Sequence, residues 1–173
     1  MVLIFAMLAG CLSTRPPPPV SDATEVATVV VMASPEHADM LATPLSMEIA
    51  LTRALSARGL GHTALETPGS FYALGTTQHR LNWMVEQAHS RTSLLVETAV
   101  RPRGHMGGRF RWQVDTTISV ATDSGGQLTD SLTVPVTLQH IHQQEAEALT
   151  EAAPRIADRA AALVARQMRS SAP

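Results

Sequence analysis

The stretch Arg109-Phe110-Arg111-Trp112-Gln113-Val114-Asp115-Thr116-Thr117-Ile118-Ser119-Val120 decides the reading of this chain. Apolar Phe110, Trp112, Val114, Ile118 and Val120 alternate with polar Arg109, Arg111, Gln113, Asp115, Thr117 and Ser119, a period of two that only a β-strand turns into one dry and one wet face. Asp123-Ser124-Gly125-Gly126 then supplies a turn. Leu132, Val134, Val136 and Leu138 carry the alternation into an antiparallel partner. Pro135, on the opposite phase, has no N–H to give a ladder and marks that partner as an edge strand.

Upstream, Glu25-Val26-Ala27-Thr28-Val29-Val30-Val31-Met32-Ala33 is rich in β-branched residues without polar alternation. Such a run suits a strand buried on both faces. Thr43-Pro44 offers an N-cap with proline at the first helical position, and Arg58-Gly59-Leu60 a cationic last turn with a glycine stop, so a helix is expected over about 44–58. Its apolar side is read as Leu45, Ile49, Leu51, Ala54 and Leu55, with Glu48, Arg53 and Arg58 toward water. His62 to Glu66 is a short strand, closed by Thr67-Pro68-Gly69-Ser70. Thr76 or Thr77 caps a helix running to about Ser90, with Leu81, Met84, Val85 and Ala88 at helical spacing. Ser93 to Val100 is another strand, followed by a glycine-rich hairpin connection from Arg103 to Gly108. His140 to Arg169 is an alanine-rich helix that Pro154 should kink or break. The expected fold class is α+β: a mixed β-sheet in β-α-β-α-β-β-β-α order with helices packed mainly on one face.

The amino terminus reads differently. Met1 to Leu8 is almost wholly apolar and ends in Leu8-Ala9-Gly10-Cys11, with no Lys or Arg ahead of it. A short apolar region closing on small residues has the grammar of a secretory signal. The Leu-Ala-Gly-Cys run matches the bacterial lipobox, in which the cysteine thiol takes a diacylglycerol before cleavage. Cys11 is the chain's single cysteine and can make no internal disulfide. The bland alternative is an ordinary buried first element that happens to contain a cysteine. On the lipobox reading, residues 1–10 are a signal peptide. Residues 11–24 are then a lipidated Cys11 with a tether stiffened by Pro16 to Pro19, and residues 25–170 a periplasmic α/β domain. Two or three acyl chains, at about 0.8 kcal/mol per buried CH₂, make a stable membrane anchor. By resemblance to proteobacterial sorting signals, Leu12 and Ser13, with no aspartate there, favour the outer membrane over retention at the inner one.

Composition narrows the function. With 173 residues, 45% hydrophobic and a formal net charge of −2, the chain can bury a core without staples. It lacks the strong basic excess of a nucleic-acid binder driven by counterion release, so no nucleic-acid partner is expected. No apolar run approaches the ~20 residues of a spanning helix. Gly-x-Ser-x-Gly, His-Glu-x-x-His and phosphate-loop motifs are missing, and there is no lysine. The closest acids, Glu145, Glu147 and Glu151, suit a solvated helix face. His140 and His142 would project to one side of an extended chain about 7 Å apart, compatible with two metal ligands. No third ligand accompanies them in sequence. Neither an enzyme nor a bound cofactor or metal is therefore expected.

One cluster remains. Arg101, Arg103, Arg109 and Arg111 fall within eleven residues at the predicted hairpin. Arginine forks bind carboxylates and phosphates in bidentate fashion, which suits an acidic protein partner, an anionic glycan or a lipid headgroup. Solvated edge charge that keeps strands from aggregating would look the same.

The order from Ala88–Ser93 into Leu94-Leu95-Val96-Glu97, then the tryptophan-bearing strand, the Asp123–Gly126 turn, another strand and a last helix with Ile156-Ala157-Asp158-Arg159 resembles a group of envelope modules. It includes the amino-terminal domain of the translocation protein TolB and the domain shared by the curli secretion lipoprotein CsgG and the penicillin-binding-protein activator LpoB. The resemblance spans about residues 25–169. It implies docking or assembly of other envelope proteins in the periplasm, with membrane attachment through Cys11, and carries over no catalytic residue.

Overall fold

In a computed structural model, residues 25–33, 40–42, 45–88, 92–139 and 145–170 are described. The decisive stretch forms strand β5 (Arg109–Ala121), flanked by β4 (Thr92–Met106) and β6 (Gln127–Leu138) in antiparallel pairing. β4 also pairs in parallel with β1 (Glu25–Ala33) along that strand's length. The other edge of β1 is shared: β3 (Gly61–Ala64) lies parallel to Glu25–Thr28, and β2 (Met40–Ala42) antiparallel to Val31–Ala33. The result is a mixed sheet in which β6 forms one edge, and Pro135 sits on that edge strand, exposed, as its missing N–H requires.

Alternation sorts the side chains onto two faces. Val26, Leu94, Val96, Val114, Ile118, Val120, Val134 and Val136 point one way and are buried. Over them lie α1 (Leu45–Ser56) and the 26-residue α4 (Glu145–Ser170). α4 presents Ala148, Ala152, Ala153, Ala157, Ala160 and Ala161, all buried, between Leu149, Ile156 and Val164. Small side chains let this helix sit close to the sheet while the larger ones fill the gaps between strands. Trp112, on the dry phase, packs against the same cluster. On the second face, Val29, Val31, Leu95 and Ala121 are covered by Phe71 of the short α2 (Gly69–Tyr72) and by Leu81 and Met84 of α3 (Thr77–Gln87). The fold is thus the expected α+β type, with most helical residues on one face.

Local signals explain the boundaries. α1 stops at Gly59, whose φ of 72° is left-handed. Leu60 N donates to Leu55 O at 3.1 Å and Gly59 N to Ser56 O at 2.9 Å, the paired bonds of a Schellman cap. Thr76 caps α3 by accepting from His79 N at 3.2 Å.

Four expectations are corrected. Leu45 and Ile49 of α1 are 67% and 43% exposed, because the buried stripe runs through Met47, Leu51, Ala54 and Leu55, one step round the helix. The connection after β4 is not a loop over 103–108. The strand continues through a bulge at Pro102/Gly104 to Met106, and the turn is the pair Gly107-Gly108, whose φ values of 59° and 75° suit the tight hairpin turn that follows strand twist. β2 and α2, of three and four residues, were not anticipated. Of the kink or break expected at Pro154, the break does not occur, and α4 runs through the proline as one helix.

Because Pro154 gives no N–H to the Thr150 carbonyl and faces solvent, Pro154→Ala adds a helix bond at little packing cost. Urea unfolding is expected to show stability higher by about 1–3 kcal/mol; a loss would mean that the proline shapes the helix to the sheet.

Candidate functional site

Among the described residues, the second face of the sheet is covered only in part. Its apolar patch under α2 and α3 ends at Glu97 of β4, where a buried ion pair closes the cover. Arg80 of α3 donates from Nε to Glu97 Oε1 at 2.7 Å, with a second nitrogen 2.5 Å from the same oxygen, and Thr77 Oγ1 donates to Oε2 at 2.6 Å. Arg80 also donates to the Leu74 carbonyl. With side chains only 6% and 12% exposed, the two charges need this full set of partners, since removing one would leave the other uncompensated.

Beyond Glu97, toward the hairpin turn, the face carries Ala99, Arg101, Gln113, Asp115, Thr117, Ser131 and Thr133, and no helix among the described residues lies over them. A depression of about 300 Å³ opens here, with Glu97, Arg101, Asp115, Thr117, Ser131 and Thr133 in its lining. Its floor is hydroxyl and carboxylate because Asp115↔Thr133 and Thr117↔Ser131 are directly opposite in the β5–β6 register.

All four sequence-predicted arginines belong to this face. Arg101 lies opposite Gln113, and its Nε is 3.8 Å from Asp115 Oδ2. Arg103, the extra residue of the bulge, turns back and donates from Nε to Gln113 Oε1 at 2.6 Å. Arg111 and Arg109 follow Gln113 two and four residues back along β5, so strand alternation puts them on the same side. Opposite Arg111 stands Gly104, which has no side chain to cover it. Gln113 passes the chain on, donating from Nε2 to Asp115 Oδ1 at 2.6 Å, where Thr133 Oγ1 also donates at 2.8 Å. The Gln113 hydrogen bond is the leading cause that holds the Asp115 carboxyl below its usual range; burial opposes it, and the Thr133 hydrogen bond and the charges of Arg101 and Arg103 add to the lowering. The sequence singled out the arginines but missed Gln113, Asp115 and Thr133 as their platform. The signal lies in the polar phase of β5, where Gln113 and Asp115 continue the side of the strand that bears Arg109 and Arg111.

Elsewhere, His62 bridges β3 and α1, with Thr28 Oγ1 2.8 Å from Nε2 and Thr52 Oγ1 3.4 Å from Nδ1. Burial lowers its pKa and the Glu48 charge partly offsets this. Among the described residues no three His, Cys, Asp or Glu come together in a metal-binding group. His140, His142 and Cys11 lie outside the described residues. No described helix is long and apolar enough to cross a membrane.

No model of a known protein family matches the chain, and no curated protein sequence does. Among solved structures it is similar to a minor lipoprotein of Acinetobacter baumannii, at 14% identity over 85% of this chain and 91% of that one, with a TM-score of 0.45. Lipoprotein GNA1162 of Neisseria meningitidis matches at 13% identity over 86% and 99%, with a TM-score of 0.42. The rare lipoprotein B of Shewanella oneidensis matches at 6% identity over 85% and 95%, with a TM-score of 0.38. These neighbours are bacterial lipoproteins of α/β architecture.

Because the folded pKa of Asp115 is depressed, its contribution to stability is present above its ordinary value of 3.8 and is lost as pH falls through the folded value. Gln113→Leu removes the leading cause. Carboxyl NMR titration is expected to show the Asp115 midpoint moving up toward 3.8 in that variant; an unmoved midpoint would mean that Gln113 does not hold the carboxylate.

Proposed function

We propose that this chain is a non-enzymatic lipoprotein of the bacterial outer membrane, anchored through acylated Cys11 with its domain facing the periplasm, and that it docks or assembles other envelope proteins. The observation that carries the docking reading is the gathering of Arg101, Arg103, Arg109 and Arg111 on a sheet face that no described helix covers, with Arg103 hydrogen-bonded to Gln113 and Arg101 3.8 Å from Asp115. A solvated edge needs charge, but it does not need charge fixed in position.

Strand polarity adds a direction. β1 and β4 are parallel, and Val26 is level with Thr92, so the chain meets the domain at the end of the sheet opposite the Gly107-Gly108 turn. From Thr92 to the end of β4 at Met106 the strand covers roughly 45 Å at about 3.3 Å per residue. A domain tethered through residues 11–24 would be attached at the end of the sheet opposite its arginine-bearing turn. That geometry favours a partner reaching in from the periplasm over headgroups of the membrane below. An anionic glycan would meet the same face from the same side.

The tests are fractionation and crosslinking in intact bacterial cells. Wild-type chain is expected in the outer-membrane fraction and Cys11→Ala in the soluble periplasmic fraction; unchanged fractionation of Cys11→Ala would remove the anchoring claim. A crosslinker in the same cells is expected to join the chain reproducibly to one envelope protein. Recovery of a glycan in place of a protein would overturn the docking reading.

A further inference from the structure

We infer that the docking face recognises an extended acidic segment, with carboxylates at alternate residues seated on the four arginines of the β4–β5 hairpin. The inference rests on the docking reading and names the chemistry of its partner.

Three observations carry it. First, the guanidiniums keep free edges. Arg103 spends its Nε on Gln113, and the Nε of Arg101 faces Asp115 loosely, at 3.8 Å with the arginine side chain 57% exposed. Among the described residues the two terminal nitrogens of each have no partner, and neither does any nitrogen of Arg109 or Arg111. The end-on edge of a guanidinium is the edge that takes a carboxylate with two parallel hydrogen bonds.

Second, the spacing is that of a strand. Arg109 and Arg111 are two residues apart on β5, about 7 Å, which is also the separation of alternate side chains in any extended peptide. Gly104 leaves the position opposite Arg111 without a side chain, so a chain can lie across the hairpin there. The hydroxyls of Thr117, Ser131 and Thr133 continue the face toward Glu97 and offer hydrogen bonds to the backbone of the same segment.

Third, the face already holds one carboxylate in this manner. Asp115 sits among Gln113, Thr133 and Arg101, and its carboxyl is stabilised in the charged form. An incoming Asp or Glu meets the terminal guanidinium nitrogens that this arrangement leaves free. In a chain with a formal net charge of −2, four arginines within eleven residues make a local excess of positive charge on this hairpin, and it steers an acidic segment there before contact.

The test uses the full chain in detergent and a fluorescent peptide alternating glutamate and serine. The same peptide with glutamine for glutamate serves as the neutral control. Anisotropy is expected to show binding of the acidic peptide alone, weakening with salt. Arg103→Gln with Arg111→Gln is expected to weaken it by about tenfold, the order of two lost charged hydrogen-bond pairs that were partly solvent-screened. Arg155→Gln with Arg166→Gln on α4 removes the same charge from another surface and is expected to change binding less than about twofold. Equal weakening by both double variants would overturn the inference, as would binding of inorganic polyphosphate, alginate or phosphatidylglycerol-containing vesicles that outcompetes the peptide. If the envelope-protein crosslink of the preceding section persists in Arg103→Gln/Arg111→Gln, docking stands and this assignment of its chemistry falls. Loss of the crosslink in wild type would remove docking itself.

Discussion

The packing of α4 against β4, β5 and β6 is the interaction on which the rest depends. A sheet must bury at least one face, and here a single long helix does most of that work for the three longest strands, through Ile156, Ala160 and Val164 against Val114, Ile118 and Val134. Each fully buried aliphatic side chain of this size contributes about 1.5–3 kcal/mol. With one face satisfied, the other is free to be polar over the hairpin half of the sheet. The period-two pattern of β5 enforces both outcomes at once, because a slip of one residue would put Arg111, Gln113 and Asp115 into the core.

The open face is bounded on one side by the Arg80–Glu97 pair. α3 brings its own apolar patch over Val29, Val31 and Leu95, and the ion pair stands where that patch stops. A buried pair of this kind is a poor source of net stability compared with apolar packing. Its position accounts for it better. It ends the apolar cover without exposing hydrophobic surface, where α3 begins at its Thr76 cap. Past that border the tongue formed by β4 and β5 projects beyond the end of β1, which pairs no further than Ala99.

Much of this was legible in the residues. The alternation of β5, the β-branched run of β1, the glycine stop of α1 and the edge proline of β6 each follow from one local rule, and each holds. What was not legible depended on tertiary context. β2 has three residues and exists because β3 leaves the end of one β1 edge unpaired. Leu45 and Ile49 satisfy helical spacing, but which side of α1 faces the core is set by where α4 lies. The bulge at Arg103 could have been suspected from Pro102 and Gly104, residues that interrupt a ladder, and the Gly107-Gly108 turn from the dipeptide itself. The arginines were found by their density. Their platform was not, because Gln113, Asp115 and Thr133 become a unit only through cross-strand register.

The proposed docking puts the partner on the arginine-bearing face of the β4–β5–β6 sheet. A photoreactive amino acid placed singly at Arg103, Arg111 and Thr133, and at Glu48, Arg155 and Arg166 on the helical side, tests it in intact cells. Adducts to one envelope protein from the first three positions, and none from the helical positions, are the predicted result. Adducts from α1 or α4 with none from the sheet face would contradict it.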